Sequence, residues 1–361
     1  MSLKRIILLV FSLLVFAAIG AIELHGLVSV AGTSAQILGY GGFVAWRQAP
    51  VSKTAVTIGH MQADVYTSSR SRSPLLLVHG VNDTGKNSPE IKPIAEAFAD
   101  AGFRVAAPEF TRLTRQNVTP EDIDDVVSAF DWLGGDAGIV CASYGCGPAL
   151  IAASRSEIRD RVRFVVSFGG YFDLTDQLRY IVTDQQDATL AYSKWRYMAA
   201  NADLMDTDDD RRELIAFAGE RGSRPKEEWT LSADRLGRGA RPMVALFESR
   251  NSAEFGVRLG TFPRLRDRIE RLSPSRYIQG IRARLIIVHI ASDPSIPSYQ
   301  SVQLAEAANA HGIPHSLTLL NMYGHTRPVW PAVGIRSLFG FYAPEAIRFG
   351  SVVNEILGFA E

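Results

Sequence analysis

The chain has 361 residues, 47% of them apolar, with 38 basic and 38 acidic side chains and so a formal net charge of zero. This composition excludes a disordered chain, and the even charge removes the basic surface that nucleic-acid phosphates require. The length allows a full hydrophobic core, either as one large domain with an insertion or as two domains.

Lys4 and Arg5 precede the uncharged apolar run Ile6–Ile22. This is the form of an export signal, with Ala18-Ile19-Gly20 as a small-x-small cleavage site. As an anchor, the run would keep the basic end in the cytoplasm and send the body across the membrane. Residues 1–30 are therefore expected to be a signal peptide or a membrane anchor, the anchor favoured because no A-x-A follows. The membrane is thus an expected partner, with the body on its non-cytoplasmic side.

Residues 54–67 alternate polar and apolar around Gly59, which predicts a hairpin at a sheet edge. Leu75–Val78 is a continuous apolar run ending in His79-Gly80, the pattern of a strand buried on both faces. Ser88 and Pro89 open a helix with Ile91, Ile94, Ala95 and Phe98 on one stripe and Gly102 as its stop. Phe103–Ala107 is the next strand. Thr119 and Pro120 open another helix, with Val126, Val127 and Phe130 on its apolar face. Gly138–Ala142 is a short strand followed at once by the helical SYGCGPALIAA. Val165–Phe168, Leu285–Ile290 and Leu317–Leu320 are further strands, and Ser301–Ala310 is a helix. Strands alternating with helices predict a mostly parallel central sheet with helices on both faces.

Between the strands at Val165 and Leu285 lies far more chain than one crossover helix needs. Residues 175–275 are therefore expected to be an inserted helical cap over a core built from 50–174 and 276–361. Trp195, Trp229 and Phe247 are candidates for the cap's inner face. DTDDD at Asp206–Asp210 resembles a calcium loop briefly, but Arg211 and Phe217 occupy its glycine and glutamate positions, so a helix start is expected. Cys141 and Cys146 stand around a tight turn, outside any zinc spacing, and are expected as free buried thiols. The clusters at Arg70–Arg72 and Arg282–Arg284 read as solvated turns and element ends.

Catalytic groups in such sheets gather at the C-terminal ends of strands. Ser143 follows the strand ending at Ala142, Asp293 follows the one ending at Ile290, and His325 follows the last strand. The order is that of nucleophile, acid and base. A serine hydroxyl needs a histidine to take its proton, and the histidine needs a carboxylate to fix its tautomer. Small neighbours let a sharp strand-to-helix turn expose Ser143 Oγ. That turn would aim the Tyr144 amide at a developing oxyanion, and the Val81 amide behind His79-Gly80 is the expected second donor. Asp173 is the rival acid, in GGYFDL. A turn-capping aspartate is the bland reading of both.

The segments ADVYTSSRSRSPLLLVHG, GIVCASYGCG, VSFGGYFDL, LIIVHIASDPSIP and NMYGH resemble the α/β-hydrolase superfamily over about residues 54–173 and 275–360. They are similar to its bacterial esterase and dienelactone-hydrolase-like branches. The resemblance implies the α/β-hydrolase fold, Ser143 as nucleophile, Asp293 and His325 as its partners, and hydrolysis of a carboxylic ester or related acyl bond. Two departures stand out. Cys141 replaces the first glycine of G-x-S-x-G, and Glu109 stands in AAPEF where the family more often has aspartate. A peptidase, amidase or thioesterase with the same triad is the alternative, and a silent scaffold serving as a binding module is another. The aromatic insertion suggests a mainly apolar ester as the small-molecule partner. Acyl transfer through a triad calls for no cofactor, and the oligomeric state is unreadable.

Overall fold

The computed structural model describes residues 24–38, 49–184, 192–223, 229–324, 327–328, 331–332 and 334–360. The apolar run Ile6–Ile22 and His325 lie outside the described residues. Among the described residues, no helix is long and apolar enough to cross a membrane.

Eight strands form one sheet in the order β1-β2-β4-β3-β5-β6-β7-β8. They are β1 Ser52–Ile58, β2 Met61–Thr67, β3 Ser73–Val78, β4 Phe103–Pro108, β5 Ala137–Ala142, β6 Val162–Phe168, β7 Arg284–Ile290 and β8 His315–Leu320. β1 and β2 are the expected edge hairpin, turning at Gly59, whose φ of +58° suits glycine. β2 runs antiparallel to β4, and every pair from β4 to β8 is parallel.

Side-chain alternation on these strands builds two layers. Leu75 and Leu77 point to a face covered by α1 (Leu24–Ile37), α2 (Ile91–Asp100) and, through Phe349, Val352 and Val353, the C-terminal α12 (Ala343–Leu357). Leu76 and Val78 point to the other, covered by α3 (Glu121–Leu133), α4 (Cys146–Ala152) and α11 (Tyr299–Ala310). A mostly parallel sheet with both faces covered, and a serine elbow after its fifth strand, is the α/β-hydrolase fold.

Two local differences from expectation have simple causes. α2 begins at Ile91, because Gly85–Asn87 first makes a separate turn whose Lys86 amide donates to Glu109 Oε2 (2.9 Å). The N-terminal region also holds a helix that sequence periodicity did not mark: α1 packs on α2 and α12 and buries Val30. Its first residues overlap the expected anchor at 1–30.

Between β6 and β7 the chain forms α5 (Leu174–Arg179), α6 (Ser193–Ala200), α7 (Asp208–Ser223), α8 (Ala240–Phe247), α9 (Ser252–Gly260) and α10 (Pro263–Arg271). The acidic stretch at Asp208–Asp210 opens α7, as a helix N-terminus favours. No metal-holding group of side chains occurs among the described residues.

The expectation of free thiols is overturned: Cys141 and Cys146 form a disulfide. The elbow between β5 and α4 doubles the chain back, so the two Cα atoms lie 5.0 Å apart, within bridging reach.

Candidate active site

From β3 the chain builds to one side through β4, then returns to place β5 on the other side of β3. This is the switch point at which open α/β sheets hold ligands, beyond the C-terminal strand ends. The loop after β3 and the elbow after β5 meet there.

Ala142 is still extended (φ −128°, ψ 141°), whereas Ser143 turns to φ +51° before Ser143–Gly145 starts the helical rise into α4. Left-handed backbone costs a residue with a Cβ about 1–2 kcal/mol, so its neighbours must hold it there. They do so by close approach. A Cβ on Gly80 would stand 2.9 Å from Ser143 Cβ, and one on Gly145 would run into His79 O. The disulfide ties the two arms of the elbow together across Ser143.

His79 fixes the loop that carries Val81. Its Nε2 accepts the Phe110 amide (3.1 Å), which leaves the proton on Nδ1 to be donated to Gly80 O (2.8 Å). Burial lowers its pKa and keeps the ring neutral. A histidine held neutral in the fold contributes stability that is complete above its unfolded value of about 6.5 and is lost as pH falls below it. The urea midpoint should therefore decline as pH drops from about 6.5 to 5. His79→Gln, which keeps an acceptor for Phe110, should show a smaller decline over that interval; an equal decline would remove this role.

Ser143, Tyr144 and Val81 share a cavity of about 370 Å³, bounded on the insertion side by Tyr192, Arg196, Tyr197 and Asn201. The Tyr144 hydroxyl accepts from Gln177 Nε2, which also donates to Ser295 O (2.9 Å each). Burial raises the Tyr144 phenol well above its usual pKa, so it stays neutral. The wholly buried Gln177 thus joins the turn at Ser143-Tyr144 to the loop after β7.

Asp293 sits in that loop, 6% exposed. Its Oδ1 accepts the amides of Ser295 (2.7 Å) and Ile296 (3.2 Å). Its Oδ2 lies 4.0 Å from His289 Nε2 and 3.8 Å from where a Cβ on Gly169 would be. Asp293 and Ser143 both line a second cavity, of about 350 Å³.

The rival Asp173 is occupied otherwise. Its Oδ1 caps α5 through the Thr175 and Asp176 amides (2.9 and 3.1 Å), and Oδ2 accepts from Ser275 Oγ (2.8 Å). The turn after β8 is anchored by the buried Glu345 of α12. Glu345 Oε2 accepts the Asn321 and Met322 amides (2.7 and 3.1 Å), and Oε1 accepts from Asn321 Nδ2 (3.0 Å).

The aromatics chosen from sequence for the insertion's inner face are elsewhere. Trp195 packs edge-on against Phe217 and Trp229, and Arg221 covers Phe217 and Trp229. Phe247 is fully buried beside Tyr197. The wall is instead Ser193, Arg196, Tyr197 and Ala200, an i, i+3, i+4, i+7 stripe of α6. That stripe mixes polar and aromatic side chains, so no apolar periodicity marks it in the sequence.

No protein-family model and no curated protein sequence matches the chain. Among solved structures it is similar to an acylaminoacyl peptidase of Pyrococcus horikoshii (13% identity, TM-score 0.49), over 86% of this chain and 42% of that one. The chain therefore spans less than half of that peptidase. It is also similar to a sugar hydrolase of Lactococcus lactis (13%, TM-score 0.48, covering 85% and 97% of the two chains). A third is a meta-cleavage product hydrolase of Pseudomonas fluorescens (20%, TM-score 0.45, covering 85% and 98%). Each is named for an activity of its own.

Proposed function

We propose that this protein is a serine hydrolase that cleaves a carboxylic ester through an acyl-enzyme, with Ser143 as nucleophile, His325 as base and Asp293 as acid. The observation that carries this reading is the elbow. Ser143 holds a left-handed backbone between β5 and α4, beside a cavity that it shares with Asp293. Ser143 Oγ attacks the ester carbon while His325 takes its proton. Asp293 holds the imidazole's tautomer and balances the imidazolium. The amides of Val81 and Tyr144 receive the oxyanion. Collapse expels the alcohol, which takes its proton from His325, and water releases the acid by the same steps reversed.

The reading extends to location. The run Ile6–Ile22 behind Lys4 and Arg5 would place the body beyond the cytoplasm as an anchored or exported protein. A Cys141–Cys146 bridge is at home in such an oxidising compartment. α6 would close the substrate cavity from above.

A fluorophosphonate probe tests both parts. The adduct should map to the peptide containing Ser143. In fractionated cells it should appear with the membrane or outside the cytoplasm. An adduct on another residue, or none, would overturn the mechanism. Label confined to soluble cytoplasm would overturn the location.

A further inference from the structure

We infer that the second cavity holds an extended hydrocarbon chain of the ester substrate, so that the substrate is an amphiphile with a polar limb under α6. The inference rests on the proposed esterase reading and adds the substrate class. Ser143 is common to both cavities, and the two differ in chemistry. The one under α6 presents Asn82, Asp83, Gln116, Arg196 and Asn201. The other lies between the sheet, α2 and α12, with Val140, Val288, Ile94, Phe98 and Val353 on its walls. Among its described lining residues only Glu90 and Asp293 are charged, and Asp293 belongs to the catalytic end. A cavity so poor in polar partners does not hold water well and favours an alkyl chain.

The placement of α1 fits the same substrate. Ile37 and Leu38, at the end of α1, line the cavity. In sequence α1 starts just after the apolar run that ends at Ile22. The segment proposed to lie in the membrane is therefore joined directly to the helix that borders the chain site. A lipid-like ester is the substrate that both features suit. A fully buried methylene multiplies kcat/KM roughly fourfold, so chain length is the sensitive variable.

The test compares p-nitrophenyl decanoate with p-nitrophenyl acetate, and decyl acetate with ethyl acetate, below the aggregation concentration of the long esters. The first pair reads a chain on the acyl side and the second a chain on the alcohol side. In one pair or the other, the parent should favour the long ester by at least about tenfold in kcat/KM. Val353→Phe and, from the opposite wall, Ile94→Phe should each lower that long-to-short ratio at least about tenfold by filling the cavity. A ratio cancels any loss of folded protein. A parent without long-chain preference, or ratios unchanged in both variants, would overturn the inference while short-ester turnover and the Ser143 adduct still upheld the esterase reading. Failure of the esterase reading is separate: the parent would hydrolyse none of the four esters and take no adduct.

Discussion

Ser143→Ala is expected to lower kcat on p-nitrophenyl acetate by on the order of 10⁴- to 10⁶-fold while the protein still melts cooperatively. Alanine removes only Oγ. Its Cβ keeps the close contact with Gly80, and the positive φ that serine tolerates is no worse for alanine. What is lost is the covalent route, leaving whatever rate the oxyanion donors and substrate positioning give to direct attack by water. The backbone supplies an independent check. Ser143→Gly should be equally inactive yet more stable than Ser143→Ala by about 1 kcal/mol in urea unfolding, because glycine adopts φ +51° without strain. Near-normal turnover in Ser143→Ala would refute the nucleophile assignment. A glycine variant less stable than the alanine one would show that the turn is not strained.

The parts of the fold that were legible in the sequence are those written locally. β3, β5 and β7 are apolar runs because both their faces are covered, and each is followed at once by a small or polar residue, His79, Ser143 or Ala291. Ser143 and Asp293 could be singled out as candidates because Ser143 follows β5 at once and Asp293 stands in the loop just after β7. What was illegible depends on distant contacts. The Cys141–Cys146 bridge follows from the doubling back at the elbow, which residue spacing alone does not reveal. α6 shows little amphipathic pattern because Trp195 and Met198 face the insertion's own core while Arg196 and Tyr197 face the cavity. Helix α1 hid for a similar reason. Its buried residues include Thr33, Ser34 and Gln36, and Gln36 reaches Asp100 on α2 at 3.3 Å.

Asp293→Asn should reduce kcat by on the order of 10³- to 10⁴-fold, and Asp173→Asn should leave it within about threefold. The two substitutions are chemically identical, so the difference isolates position. At 293, asparagine can keep Oδ1 on the Ser295 and Ile296 amides, which preserves the turn. It removes the negative charge that would balance an imidazolium, and its amide would favour the wrong tautomer of His325. At 173, asparagine remains a good helix cap for Thr175 and Asp176, and the bond from Ser275 is the main loss. That loss should appear in stability, by about 1 kcal/mol, rather than in turnover. Measuring kcat on a short ester beside the urea midpoint for both variants separates the two effects. A large fall in kcat for Asp173→Asn with Asp293→Asn near normal would move the acid to the end of β6 and leave Asp293 as a turn-forming residue.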